Sequence, residues 1–191
     1  MSDFWDERYA AGSVWSKGPN AWIERTVGHL DPGTAVDLGA GEGRNALWLA
    51  ELGWEVTAVD FSAVGFATGR TRAAELGLDI EWVVADATSW SSPQQVDLVV
   101  IAYLQLPVDD LARALEAAAG YLAPGGTLAL VAHDRDNLTR GTGGPQDATL
   151  LTTVDELKAA ASGLEILTCE QVTRETAAGV AIDVVLVARG S

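Results

Sequence analysis

Apolar positions along the chain follow two alternating rhythms. Short β-branched runs recur, and each is followed by a stretch with apolar residues three or four positions apart, the spacing of one helical face. The first run is Ala35-Val36-Asp37-Leu38-Gly39, entered through the turn Asp31-Pro32-Gly33. Helical spacing follows at Ala46, Leu47, Leu49 and Ala50 and stops at Gly53. A second run covers 55–60; Ser62 can cap the helix behind it, which ends at Leu76-Gly77, and a third run covers 80–86. Residues 96–102 are nearly all apolar, as expected of a central parallel strand covered on both faces. Leu111, Ala114, Leu115, Ala118 and Leu122 mark the next helix, Pro124-Gly125-Gly126 breaks it, and 127–132 makes a fifth strand. A polar, glycine-rich loop spans 134–151, and Thr153 with Glu156 spells a capping box for a last helix. Two strands near 164–173 and 181–188 close the chain. Ala177-Ala178-Gly179 between them is too short for a crossover helix, so the pair is antiparallel.

This succession predicts an α/β fold: a doubly wound, Rossmann-like, seven-stranded sheet, mostly parallel with an antiparallel C-terminal hairpin. Ligands are expected at the carboxyl ends of its strands. The length, 191 residues, suits one such domain over 31–191. Twelve basic against 27 acidic residues leave a net charge of −15, a field that repels nucleic-acid backbones and anionic membranes. A small molecule is therefore the expected partner. The first fifteen residues mix acids and aromatics where a secretory signal needs a basic head and an apolar stretch, and no run is apolar enough to span a bilayer, so a cytoplasmic protein is expected. The one cysteine, Cys169, cannot form an internal disulfide or build a metal site, and its place on the sixth strand reads as core.

Candidate chemistry gathers at strand ends. Asp37-Leu38-Gly39-Ala40-Gly41-Glu42-Gly43 stands where the first strand turns into the first helix, and alternate glycines let a backbone bend sharply and approach a ligand. A tight turn without a ligand is the plainer reading. A dinucleotide fingerprint would need glycine where Arg44 or Ala46 stands, which argues against a nicotinamide oxidoreductase. Asp60, ending the second strand, suits vicinal ribose hydroxyls, or caps the next helix. Asp86, ending the third, suits an adenine amino group with Ala87 beside it, or closes an Asx turn. Together the three strand ends describe a pocket for an adenosine with an amino-acid-like tail.

DLGAGEG, Asp60 and Ala85-Asp86-Ala87 resemble the class I S-adenosylmethionine-dependent methyltransferases over about residues 30–133. Gly41-Glu42-Gly43-Arg44-Asn45, with Trp5, Arg8, Tyr9 and Trp15 ahead of it, is most similar to the tellurite-resistance and thiopurine methyltransferase group. The resemblance implies an S-adenosylmethionine-dependent enzyme acting on a small acceptor: a thiol, a chalcogen oxyanion or another small nucleophile. A non-catalytic module that binds the same cofactor is the alternative. The implied cofactor contacts are Asp37, Gly39, Ala40, Gly41, Arg44, Asp60, Phe61, Ser62, Asp86, Ala87 and Trp15. Arg44 meets the cofactor carboxylate, fastens a lid, or faces solvent. Trp5 and Tyr9 share one helical face; residues 1–30 then form a helical lid over the ligands or simply dock on the sheet.

Catalytic candidates follow the fourth and fifth strands. Tyr103 orients the acceptor or meets the sulfonium through its ring, and otherwise closes the sheet as a half-buried aromatic. His133 is the candidate general base, with a loop hydrogen bond as the plainer role. Soft anions need no base, whereas oxygen or nitrogen nucleophiles benefit from one. His29 reads as surface. Arg135, Asn137 and Arg140 sit in the 134–151 loop, expected to shape the acceptor pocket; two arginines there suit an acidic substrate or are merely solvated.

Overall fold

The computed structural model describes residues 18–190. Trp15 and the aromatic leader, residues 1–17, lie outside the described residues. The elements run α1 (Ala21–Val27), β1 (Thr34–Leu38), α2 (Arg44–Glu51), β2 (Glu55–Asp60), α3 (Ala63–Leu76), β3 (Ile80–Val84), β4 (Val96–Ala102), α4 (Val108–Tyr121), β5 (Leu122–His133), α5 (Asn137–Arg140), α6 (Val154–Ala160), β6 (Glu165–Thr176) and β7 (Gly179–Arg189). One seven-stranded sheet has the order β3-β2-β1-β4-β5-β7-β6. Pairs from β3 through to β5 are parallel, and β7 lies antiparallel between β5 and β6. The order reverses between β1 and β4, the switch point where doubly wound sheets open a crevice for ligands.

Alternation along the strands sends side chains to two separate cores. Leu38, Val99, Ile101 and Leu128 pack with Leu111 and Leu115 of α4 and Leu157 of α6. Ala35, Leu98, Val100 and Val131 pack with Ile23 of α1, Leu47 and Leu49 of α2 and Phe66 of α3. Helices thus cover both faces, which is why β4 tolerates so few polar residues.

Three boundaries differ from the pattern-based expectation. β3 stops at Val84, because Asp86 folds its own carboxylate back onto Thr88 N and Oγ1, both at 2.8 Å. Leu122 opens β5 where the helical spacing had included it. Pro124-Gly125-Gly126 interrupts the ladder without ending the strand: Val96 pairs with Leu122 and Leu98 with Thr127, so four residues of β5 arch over Asp97. Gly125 N and Gly190 N bond across the base of this arch to Gly190 O and Gly126 O.

Gly69, in the middle of α3, is a position that only packing explains. A Cβ there would stand 2.4 Å from the Trp82 ring and 2.6 Å from Glu42 O. The notch lets Trp82 of β3 lie against α3, edge-on to Phe66 at 5.0 Å, and lets α3 touch the backbone of the glycine turn. Gly69→Ala is expected to destabilise the fold by about 1–3 kcal/mol despite alanine's better helix propensity. A urea midpoint equal to that of the wild type would show that the ring moves aside freely.

Candidate active site

The turn between β1 and α2 is built from backbone. Gly39, Gly41 and Gly43 have φ of 76°, 57° and 74°, a region closed to most side chains. Gly39 N and Ala40 N donate to Val59 O at 2.8 and 3.0 Å, tying the turn to β2. Asp60 completes that tie: one carboxylate oxygen accepts from Gly41 N and the other from Ser62 N, each at 2.8 Å. The residue is 6% exposed at the sheet's carboxyl edge. Asp60 is not the cap of α3. Ser62 is, its hydroxyl accepting from Gly65 N at 3.0 Å, and its full burial makes it a support of the crevice rather than a lining residue. Phe61 between them is half-buried.

Asp37 has a structural task of its own. The N-cap of α2 is Gly43, which has no side chain, and Asp37 Oδ2 reaches across from β1 to accept from Ala46 N at 3.0 Å. Its Oδ1 is buried and has no hydrogen-bond donor among the described residues. Burial is the main reason its pKa rises to about 7; the nearby Asp60 charge adds to the rise, while the Ala46 bond and Arg44 oppose it. Asp86, further along the edge, is exposed and forms the Asx turn, and its hydrogen bonds from Thr88 hold its carboxyl below the usual range. Ala87 is buried beside it.

The opposite wall comes from the antiparallel half. His133 at the end of β5 stands in register with Asp183 of β7. Their side chains meet, His133 Nδ1 lying 3.0 Å from Asp183 Oδ1. The other carboxylate oxygen accepts from the Tyr103 hydroxyl at 2.9 Å and from Arg174 Nε of β6 at 3.0 Å. Burial alone would raise the Asp183 carboxyl, but bonds from His133 and Arg174 outweigh it and hold the group ionised. Burial and the Asp183 charge push the Tyr103 hydroxyl up to about 12, so it stays protonated and donates. Its ring stacks on His133 at 4.5 Å and lies under the Arg174 guanidinium at 5.8 Å. Tyr103 is also the only non-glycine residue with positive φ among those described, at 57°.

A cavity of about 440 Å³ extends from this wall to the head of α2, lined by Arg44, Asn20, Tyr103, His133, Arg174 and the Thr142-Gly143-Gly144 stretch. Asn20 caps α1 through Trp22 N and Ile23 N, and its backbone N–H donates to the Asn45 side chain of α2, so α1 is fastened to the turn. The loop after β5 is ordered by Asn137, which accepts from Ile182 N at 2.7 Å and donates to Gly143 O at 2.8 Å. Gly144 then lies against the His133 ring. Arg135 and Arg140, expected to suit an acidic substrate, are paired instead with Glu156 and Asp136. His29 is exposed just past α1. Burial pushes the half-buried Cys169 thiol up, and its Sγ lies 3.7 Å from Val154 O.

Asp183 and Arg174 do not stand out in the sequence as site residues. A signal for the first is nonetheless present: a lone carboxylate inside the apolar run 181–188, where only a paired charge is tolerated. Arg174 carries no such mark, since its partner lies on the neighbouring strand.

Comparison with known proteins agrees with this geometry. Residues 35–126 match the family described as a methyltransferase domain. The chain is 36% identical over 107 residues to the ribosomal RNA small subunit methyltransferase C of Alcanivorax borkumensis, covering 53% of this chain and 33% of that one. It spans between a third and a half of the length of the curated relatives it matches first. TehB from Haemophilus influenzae superposes with a TM-score of 0.78 at 20% identity, over 100% of this chain and 67% of its own. The N-methyltransferase NodS from Bradyrhizobium japonicum, in complex with S-adenosylhomocysteine, gives 0.77 at 15% identity over 99% and 97%. Sheet order and glycine turn accord with that match: residues 35–126 resemble a methyltransferase domain, and the described chain has the fold of these solved structures.

Proposed function

We propose that the protein transfers a methyl group from S-adenosylmethionine to a small-molecule acceptor. The observation that carries this reading is the glycine turn held by Asp37 and Asp60 at the carboxyl ends of β1 and β2, leading directly into Arg44, which lines one cavity with His133. The turn fits the cofactor's chemistry. Asp37 Oδ1 is a buried acceptor with no donor among the described residues, an ammonium group supplies one, and the Asp60 carboxylate matches paired ribose hydroxyls. Gly39, Ala40 and Gly41 line the methionine and ribose part, and Asp86, Ala87 and Phe61 flank the adenine. Arg44 meets the carboxylate at the head of α2. The bound sulfonium supplies an already electrophilic methyl group. The chain's work is then to align the acceptor, exclude water and take up a proton where one must leave.

Residues 18–30 support a lid role for the leader, since Asn20 lines the cavity and is fastened to α2. The likeness of TehB supports kinship with the tellurite-resistance group; at 20% identity it is a likeness of fold, and the acceptor is read from the site's own groups. A net charge of −15 supports a small acceptor over RNA, and no helix among the described residues is long and apolar enough to cross a membrane.

Calorimetric titration with S-adenosylhomocysteine, with NAD as control, tests the donor side. Micromolar binding of the former alone is expected; binding of neither overturns the pocket assignment. Methyl transfer from S-adenosylmethionine separates an enzyme from a module that only binds.

A further inference from the structure

We infer that the acceptor is a small hydroxyl compound bearing an anionic group, its hydroxyl proton taken by His133 and its charge met by Arg174, with Asp183 as the positioning residue for both. The inference rests on the methyl-transfer reading and adds the acceptor's chemistry to it.

Two independent features carry it. The first is the hydrogen-bond pattern around Asp183, which is 2% exposed. An ionised carboxylate can only accept, so the nitrogen of His133 that faces it, Nδ1, must carry the ring proton. In the neutral imidazole Nε2 is then the basic nitrogen, on a ring that lines the cavity. Such an arrangement serves a nucleophile that has to lose a proton during attack; a thiolate or selenolate arrives without one. In the step, the acceptor oxygen attacks the methyl carbon. The new C–O bond forms as the S–CH₃ bond breaks, its electron pair staying on sulfur, and the hydroxyl proton passes to His133 Nε2.

The second feature is charge. In a chain of net charge −15, the charged residues lining this cavity among those described are Arg44 and Arg174, with no carboxylate. Asp183 lies beneath the lining, already bonded to Arg174 through Nε. That bond fixes the guanidinium over Tyr103 and presents its charge to the cavity. The groups that face His133 are Asp183 from β7, Arg174 from β6, Tyr103 after β4 and Arg44 across the cavity. Asp134, its chain neighbour, accepts instead from Asp136 N.

The test uses the full chain with 4-hydroxybenzoate, phenol and 2-mercaptoethanol. With S-adenosylhomocysteine bound, 4-hydroxybenzoate should bind at least about tenfold more tightly than phenol, and Arg174→Gln should erase the difference. Equal affinity for the two, or no binding of the acid by the loaded chain, overturns the anion assignment. With S-adenosylmethionine, kcat toward the hydroxyl acceptor should rise with pH along a one-proton limb. His133→Gln should lower kcat about 10²- to 10⁴-fold and abolish that limb. Asp183→Asn should lower kcat while leaving S-adenosylhomocysteine affinity intact, and Asp183→Glu should restore part of it. Should Asp183→Asn not fold, His133→Gln alone decides the base. Methylation of the thiol in preference to the hydroxyl, or a pH limb that survives His133→Gln, overturns the inference. Failure to bind S-adenosylhomocysteine at all is a separate result, which sinks the methyl-transfer reading itself.

Discussion

Asp60→Ala is expected to abolish measurable binding of S-adenosylhomocysteine. Both carboxylate oxygens accept backbone N–H groups, from Gly41 in the turn and from Ser62 ahead of α3. Alanine leaves two buried donors without acceptors and loosens the glycine turn, which keeps only its backbone bonds to Val59 O. Hydrogen bonds to a charged group contribute about 1.5–3 kcal/mol each, so the fold should lose about 3 kcal/mol or more. On the proposed reading the ribose contacts go as well, and together the losses should weaken binding by about 100-fold or more. Asp60→Asn separates the two effects. Its amide oxygen can still accept from one N–H, so it should melt closer to the wild type while still binding poorly. Calorimetry beside a thermal melt reads both. Wild-type affinity in Asp60→Ala would remove Asp60 from the cofactor site.

Asp37→Asn is expected to act in opposite directions on stability and binding. Burial lifts the Asp37 carboxyl from 3.8 to about 7 in the folded chain. Between about pH 4 and pH 7 the unfolded chain therefore sheds this proton while the folded chain keeps it. The folded state binds more protons across that window, so its stability falls as pH rises. Asparagine is neutral at every pH and can still accept from Ala46 N. The variant should be more stable than the wild type at pH 8, by about 2–3 kcal/mol or roughly 4–10 °C in Tm, with the gap narrowing toward pH 4. S-adenosylhomocysteine should bind it more weakly, since the buried negative charge offered to the cofactor's ammonium is gone. In the wild type that ammonium favours ionised Asp37, so binding should tighten as pH rises through 7 and release a proton. A stability difference that does not change with pH would mean that Asp37 is ionised throughout.

Much of this fold was legible because each strand announces itself locally. The runs at 35–39, 55–60 and 96–102 carry β-branched residues between glycine or proline punctuation, and the glycine turn, Asp60 and Asp86 follow three of the strands in order. The boundaries that differed depend on contacts distant in sequence. Pro124-Gly125-Gly126 reads as a break, yet the tail residue Gly190 bonds across it and keeps β5 in one piece. Gly69 looks like a weak spot in a helix until Trp82 fills the notch beside it. The cluster around Asp183 was half visible. Tyr103 and His133 follow strands and could be singled out, but the carboxylate that joins them lies 50 residues beyond His133, and only the β5–β7 register brings it there. The pairing of the loop arginines was hidden for a similar reason: Glu156 and Asp136, their partners, are set by how the loop folds.

If the proposed function holds, the place of β7 between β5 and β6 divides the molecule's labour. The family match ends at residue 126, before His133, and the groups of the acceptor wall other than Tyr103 come from the later half of β5 and from β6 and β7. On the proposed reading, donor and acceptor recognition therefore fall in successive parts of one chain, joined by the β4–β5 ladder and by Tyr103, which meets His133, Arg174 and Asp183. A tail exchanged as a unit from β5 onward could retarget the acceptor while leaving the glycine turn, Asp37 and Asp60 untouched. Such a layout lets substrate preference diverge quickly on an unchanging methyl-donor platform.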